Sequence, residues 1–280
     1  MDAKKIFRLL VADAPYQPAT NYWRAVELDV VARHGLPPGR TLDLGCGDGK
    51  LTRVLAWAVG NTQGRSWIGV DPDPAETALA SNIELYDDVH TCGGDQIPEE
   101  SGSFDVVLSN SVLEHIPDIE PVIAEVARVL RRGGRFVFTV PSSNFHSCLG
   151  GPLFGQITAA YRRRLDERCA HVRYWGLGDW AACLDKHGFD ISAHVQYLNQ
   201  KQTRRWERLS NMTGGLLYNL HGHRKRPIEI QRRLNMRRPS PSWLDRFAGR
   251  ISHTALLGAE LETRPEVGQH ACLLLDAVRR

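Results

Sequence analysis

The residues most capable of chemistry lie in Asp43-Leu44-Gly45-Cys46-Gly47-Asp48-Gly49-Lys50, where a short apolar run meets a helical pattern. Glycines between a strand and a helix permit a tight turn. They also let a ligand approach the backbone while helix N–H groups face it. Dinucleotide-binding loops space their glycines as G-x-G-x-x-G. Here the spacing is G-x-G-x-G, and Lys50 takes the sixth position. Asp43 stands two residues before the first glycine. A carboxylate there repels a pyrophosphate and attracts an ammonium or sulfonium group. Asp71 ends the second apolar run, 22 residues past Gly49. An acid at that place can accept hydrogen bonds from both ribose hydroxyls.

These residues need strands to hold them, and the pattern supplies strands. Thr41–Leu44, Trp67–Val70, Val89–Cys92, Phe104–Leu108 and Phe136–Val140 read as five short strands. Helical spacing intervenes at 49–59, 74–83 and 119–131, the last on Ile119, Val122, Ile123, Val126 and Leu130. Continuous apolar strands alternating with helices predict an α/β fold, a parallel sheet covered on both faces. The first 39 residues read as a helical cap, broken at Pro15 and Pro18 and ended by Pro37-Pro38-Gly39. After Pro141 the alternation stops. Residues 142–177 are rich in aromatics and arginine and read as a lid after strand five. A helix over 179–187 and a strand over Phe189–Leu198 follow. Residues 199–262 read as a basic, mostly helical insertion before a last strand, Ala271–Leu275. One domain spanning 1–280 accommodates all of it.

Composition narrows the class. The chain has 280 residues, 42% hydrophobic and 24% charged, which suits a globular protein and not a disordered one. No apolar run nears the ~20 residues of a spanning helix. The N-terminal residues lack a secretory pattern, and the six cysteines form no C-x-x-C pair. The expectation is a reduced, cytoplasmic protein with no metal site. Charge is uneven: residues 1–150 carry −7 and residues 151–280 carry +10. An anionic partner for the second half is one reading, and a solvated helical face is the other.

In these motifs the sequence resembles the class I S-adenosylmethionine-dependent methyltransferases, in the small-molecule branch near the quinone-biosynthesis enzymes. Asp43–Gly49 is similar to that family's first motif and Asp71 to its ribose-binding acid. Gly94-Asp95-Gln96-Ile97 resembles the adenine motif, and Phe104–Asn110 the fourth-strand motif. Ser111-Val112-Leu113-Glu114-His115-Ile116 resembles the branch's following signature, and Leu130–Gly134 the turn into strand five. The resemblance implies a Rossmann-like seven-stranded, mostly parallel sheet whose last strand is antiparallel. It implies S-adenosylmethionine as cofactor, S-adenosylhomocysteine as product, and contacts from Asp43, Gly45, Cys46, Gly47, Asp71, Pro72, Asp95, Gln96, Ile97, Asn110 and Ser111. Asp95 and Asn110 also read as loop caps, and Glu114 as a structural partner.

The implied reaction is in-line displacement at the sulfonium methyl carbon, with the protein aligning the reactants. A hydroxyl nucleophile would call for a base. His115 and His146 are the candidates, with His171 behind them, because imidazole titrates near neutrality; His115 reads also, and more readily, as a core histidine. Ser111-Val112-Leu113 after Asn110 departs from the Pro-Pro-aromatic pattern of many amino-group methyltransferases, which favours oxygen or carbon as nucleophile. The expected partner is a small molecule, apolar-aromatic or anionic. The rivals are an RNA or protein methyltransferase docking through residues 201–250, which carry +10, and a cofactor-binding protein without catalysis. Nothing in that segment resembles a named RNA-binding module.

Overall fold

The computed structural model describes residues 3–60, 65–152, 156–215, 249–250, 252, 261 and 268–280. Most of the expected 199–262 insertion, with Tyr218, Trp243 and Phe247, and Phe154 of the 142–177 segment, lies outside those residues. The chain divides into two compact units: residues 1–29, 146–171 and 198–271 in one, and residues 30–145, 172–197 and 272–280 in the other.

The second unit holds the sheet. Its strands are β1 (Gly39–Leu44), β2 (Arg65–Asp71), β3 (Asp88–Thr91), β4 (Phe104–Asn110), β5 (Leu130–Pro141), β6 (Phe189–Asn199) and β7 (His270–Arg279), in the order β3-β2-β1-β4-β5-β7-β6. β1 runs parallel to β2 and β4, and β5 runs parallel to β4. β7 is antiparallel to β5, with Phe138 opposite Leu275. The expected topology is therefore the observed one.

The local reasons are plain in the sequence. Val106, Val107 and Leu108 of β4 are wholly buried, which fits a strand covered on both faces. α5 (Glu120–Val129) turns Val122, Ile123, Val126 and Val129 into the core. Each such side chain contributes about 1.5–3 kcal/mol relative to exposure. α4 (Pro74–Ala80) starts on Asp73, whose side chain accepts from the Ala75 N–H at 2.9 Å, with proline in the first turn. Asp276 is an acid inside β7, and it is fully buried. It is tolerated because Arg135 donates Nε to it at 2.6 Å and His34 sits 2.5 Å away.

The order reverses direction between β1 and β4. In open α/β sheets the crevice at such a reversal, beyond the carboxyl ends of the strands, is where ligands bind. Asp43, Asp71, Asn110 and their loops all stand at those ends.

The first unit contributes helices among its described residues. α1 (Ala3–Asp13) buries Ile6, Phe7, Leu10 and Val11. α6 (Ala159–Cys169) and α8 (Gln200–Met212) also belong to it. Tyr22 and Trp23 are buried, and Trp23 meets Trp206 edge-on at 4.9 Å. α6 fell in a segment without clear periodicity: Tyr161-Arg162-Arg163-Arg164 breaks the apolar stripe, and only Leu165 of this helix is buried. Its start is fixed locally by Thr158, whose hydroxyl accepts from the Tyr161 N–H at 3.1 Å.

Candidate functional site

The glycine loop is bonded to the end of β2. The N–H groups of Gly45 and Cys46 both reach the Val70 carbonyl, at 2.8 and 3.0 Å. Gly45, Gly47 and Gly49 have φ of 81, 54 and 74°, the left-handed region. A Cβ at Gly45 would fall 2.5 Å from a Val112 methyl carbon. A Cβ at Gly47 would meet nothing nearer than the Glu76 carboxylate at 4.0 Å. Gly45 is thus required by packing, whereas Gly47 borders open space that a ligand can enter.

Asp71 is held by the loop it faces. One carboxylate oxygen accepts from the Gly47 N–H at 3.0 Å and the other from the Asp73 N–H at 2.9 Å. The carboxylate plane is fixed, and each oxygen keeps a further lone pair for a diol. Burial pushes its pKa up, opposed by those two backbone hydrogen bonds. Pro72 beside it is exposed.

Asp43 is 2% exposed at the end of β1. The Tyr86 hydroxyl donates to it at 2.5 Å. Burial pushes its carboxyl up to about 6, against hydrogen bonds from Thr52 and Tyr86 that favour the charged form. A buried carboxylate of this kind is a costly group that a bound cation would stabilise. Cys46 is buried, and burial together with Asp43 and Asp71 pushes its thiol pKa up. It acts as a packing residue against Gly69, where a Cβ would lie 3.0 Å from its Sγ.

Beyond β3, Asp95 and Gln96 form an exposed turn, and Ile97 is buried in the core. Ile97 is clasped from α5: Glu125 accepts its N–H at 2.8 Å and Arg128 donates to its carbonyl at 2.9 Å. At the end of β4, Asn110 and Ser111 are both buried. Ser111 has φ 48°, rare for a residue with a side chain. Thr139 of β5 secures it, its carbonyl and hydroxyl oxygens each 3.0 Å from the Ser111 N–H. Backbone strain of this sort concentrates at ligand sites.

His115 lies in a 3-10 turn, Leu113–His115, with its side chain 38% exposed and 3.9 Å from the buried Glu114 carboxylate. Arg173 fastens this turn, donating to the carbonyls of Leu113, Ile116 and Pro117 at 2.9, 2.9 and 3.0 Å. His146 and His171 belong to the other unit. There, His146 Nε2 lies 2.8 Å from the Asp166 carboxylate. The structure therefore joins the glycine loop to the end of β2 through the Gly45, Cys46 and Gly47 N–H groups, places Asp43 at the end of β1, and sets Asn110, Ser111 and His115 at and after the end of β4 and Asp95 after β3.

Tyr86, Thr52 and Arg173 were not legible as site residues. Tyr86 meets Asp43 across 43 positions, and Arg173 meets its carbonyls across more than 55. No spacing rule reaches that far. Glu120, Cys183 and His187 also bring potential ligand atoms within 4.8 Å of one another. There the Glu120 carboxylate is engaged by His187 at 2.5 Å and Lys186 at 3.2 Å, which ties α5 to α7 (Leu177–Lys186).

Comparison with known proteins adds the family. Residues 42–138 match the family model described as a methyltransferase domain. An uncharacterized methyltransferase of Schizosaccharomyces pombe is 30% identical over 213 residues, 68% of this chain and 76% of that protein. The ubiquinone biosynthesis O-methyltransferase of Aromatoleum aromaticum is 30% identical over 147 residues, 52% of this chain. The chain spans about three fifths of that enzyme's length, 61%. Among solved structures, geranyl diphosphate C-methyltransferase of Streptomyces coelicolor superposes with a TM-score of 0.56 at 13% identity, over 91% of this chain and 77% of that one. A SAM-dependent methyltransferase of Thermotoga maritima gives 0.54 at 15% identity, over 95% and 93%. At those identities the two structures speak to the fold alone.

Proposed function

The chain belongs to the class I S-adenosylmethionine-dependent methyltransferases, and from that premise we propose that it methylates an oxygen of a small molecule. The observation that carries the cofactor assignment is the pair of acids on the glycine loop: Asp71, aimed by two backbone N–H groups, and Asp43, buried beside it. The open space over Gly47 fits a nucleoside lying against the backbone. In this reading Asp71 takes the ribose hydroxyls. Asp43 faces the cationic end, with Gly45, Cys46 and Gly47 as the floor. Asp95, Gln96 and Ile97 edge the adenine, and Pro72, Asn110 and Ser111 complete the wall. When bound, S-adenosylmethionine supplies a sulfonium methyl group that a nucleophile displaces in line.

His115 is the base that takes the nucleophile's proton. Its imidazole is accessible, and Arg173 holds the turn that carries it. Ser111-Val112-Leu113 in place of a Pro-Pro-aromatic segment disfavours nitrogen and leaves oxygen or carbon, of which we take oxygen. The name of the Aromatoleum relative points to the same atom.

The test is mass spectrometry of cell extracts incubated with the enzyme and isotopically labelled cofactor. The expected result is a labelled small-molecule methyl ether. Label found only in RNA or protein would favour the docking alternative, and a labelled amine would move the nucleophile to nitrogen. With the product in hand, His115→Ala should lower turnover by about 10²–10⁴-fold, the range for a general base. An unchanged rate would remove His115 from the role of base.

Gly47→Ala separates binding from folding. The added methyl occupies open space, so the fold should lose only about 1–2 kcal/mol for the left-handed backbone, while S-adenosylhomocysteine affinity falls at least tenfold. Gly45→Ala should instead lower the unfolding midpoint severely, through the clash with Val112. Thermal unfolding with and without the ligand checks both; equal affinity for Gly47→Ala and the parent would remove Gly47 from the floor.

A further inference from the structure

The first unit contains a cavity of about 350 Å³ lined by Tyr22, Gln200, Lys201, Gln202, Arg204, Arg205 and Arg208. Among these described lining residues four are cations and none is an acid. All four come from one face of α8, at positions 201, 204, 205 and 208, the i, i+3, i+4, i+7 stripe of a helix. Like charges so spaced repel one another. Lys201 also sits in the first turn, where the helix field disfavours a cation, and that turn holds no acid to offset it. The single acid of α8, Glu207, does not relieve this charge. It is fully buried, and its carboxylate accepts from the N–H groups of Gly150 and Gly151, at 2.6 and 3.0 Å, and from the Tyr161 hydroxyl at 2.7 Å. Among the described residues no carboxylate pairs with Arg204 or Arg208.

A concave cluster of three guanidinium groups and an ammonium is suited to a polyvalent anion. Arginine forks match phosphate oxygens two at a time, and a single carboxylate would leave most of the charge unbalanced. The volume lies at the small end of ligand pockets and holds a group of diphosphate size. We propose that this cavity is a binding site for a phosphate monoester or diphosphate group. This goes beyond methyl transfer and uses none of the residues assigned to the cofactor.

The experiment is calorimetric titration of the full chain with inorganic pyrophosphate, without S-adenosylmethionine, so that the result stands apart from the methyltransferase assignment. Saturable one-site binding is expected, weakened at least tenfold in the Arg204→Gln/Arg208→Gln double variant. It should change less than twofold in Arg163→Gln, an exposed arginine of α6 outside the cavity. An unchanged unfolding midpoint confirms that the double variant is folded, and the double Arg→Lys variant should bind between the two. Flotation with phosphatidic acid vesicles, against phosphatidylcholine alone, identifies the source. Flotation lost in the double variant assigns a lipid headgroup, and pyrophosphate binding without flotation assigns a soluble ligand. The proposal is overturned if neither binding occurs, if Arg163→Gln and the double variant weaken binding equally, or if single-stranded RNA is retained in preference to pyrophosphate.

Discussion

Replacing Asp71 by alanine should weaken S-adenosylhomocysteine binding by about 100-fold. Its two oxygens are aimed by the Gly47 and Asp73 N–H groups, so the remaining lone pairs are set for two hydroxyls before any ligand arrives. Hydrogen bonds to a charged acceptor contribute about 1.5–3 kcal/mol each. Two at the lower end make about 3 kcal/mol, a factor of about 100. The fold should suffer less than the binding, because burial already penalises this charge. Asparagine is no safe substitute, since its amide would present N–H groups to one of the two backbone donors. Calorimetry on the alanine variant reads the loss, with circular dichroism to confirm folding. A change below threefold would mean that Asp71 does not carry the ribose.

Asp43 should couple cofactor affinity to pH. Its carboxyl is pushed up to about 6, chiefly by burial. In the free protein it is therefore largely protonated at pH 5 and largely ionised at pH 7. Only the ionised form attracts a cationic ligand. Affinity for S-adenosylmethionine should be level above pH 7 and fall by up to tenfold per unit below 6. Stability moves the other way. Between the unfolded value near 4 and the folded value near 6, the native state binds the extra proton. Stability is thus greatest below pH 4 as far as this group is concerned, and declines as pH rises to 6. The whole effect is about 3 kcal/mol at most. Asp43→Asn should accordingly raise the unfolding midpoint at pH 7, by removing a buried charge, and lower S-adenosylmethionine affinity by roughly 10- to 100-fold. It should also flatten the pH dependence of binding. A variant that loses stability at pH 7 while keeping affinity would contradict this placement of the charge.

The parts of this molecule that could be read in advance are those governed by short-range rules. β4 and β5 announce themselves as apolar runs, and the glycine loop declares itself by residue type, because only glycine fits φ of 81° beside Val112. Asp71 was legible because the second strand and the loop keep a fixed relation. Tyr86, Thr52 and Arg173 were hidden because their partners are set by the tertiary fold. Cys46 and Ile97 show the limit of motif reading. They sit inside the motifs, yet their side chains serve packing, and the Ile97 N–H and carbonyl are already taken up by Glu125 and Arg128. Glu207 is the sharpest case. It reads as one acid in a basic helix, and it is in fact a buried acceptor for two glycine N–H groups and a phenol.

The most direct test of the central claim is a crystal structure of the full chain grown with S-adenosylhomocysteine and NAD⁺ together. The homocysteine nucleoside is expected over Gly47, with its ribose hydroxyls on the Asp71 carboxylate and its ammonium toward Asp43. A nicotinamide dinucleotide in that crevice, or S-adenosylhomocysteine bound away from both acids, would contradict it.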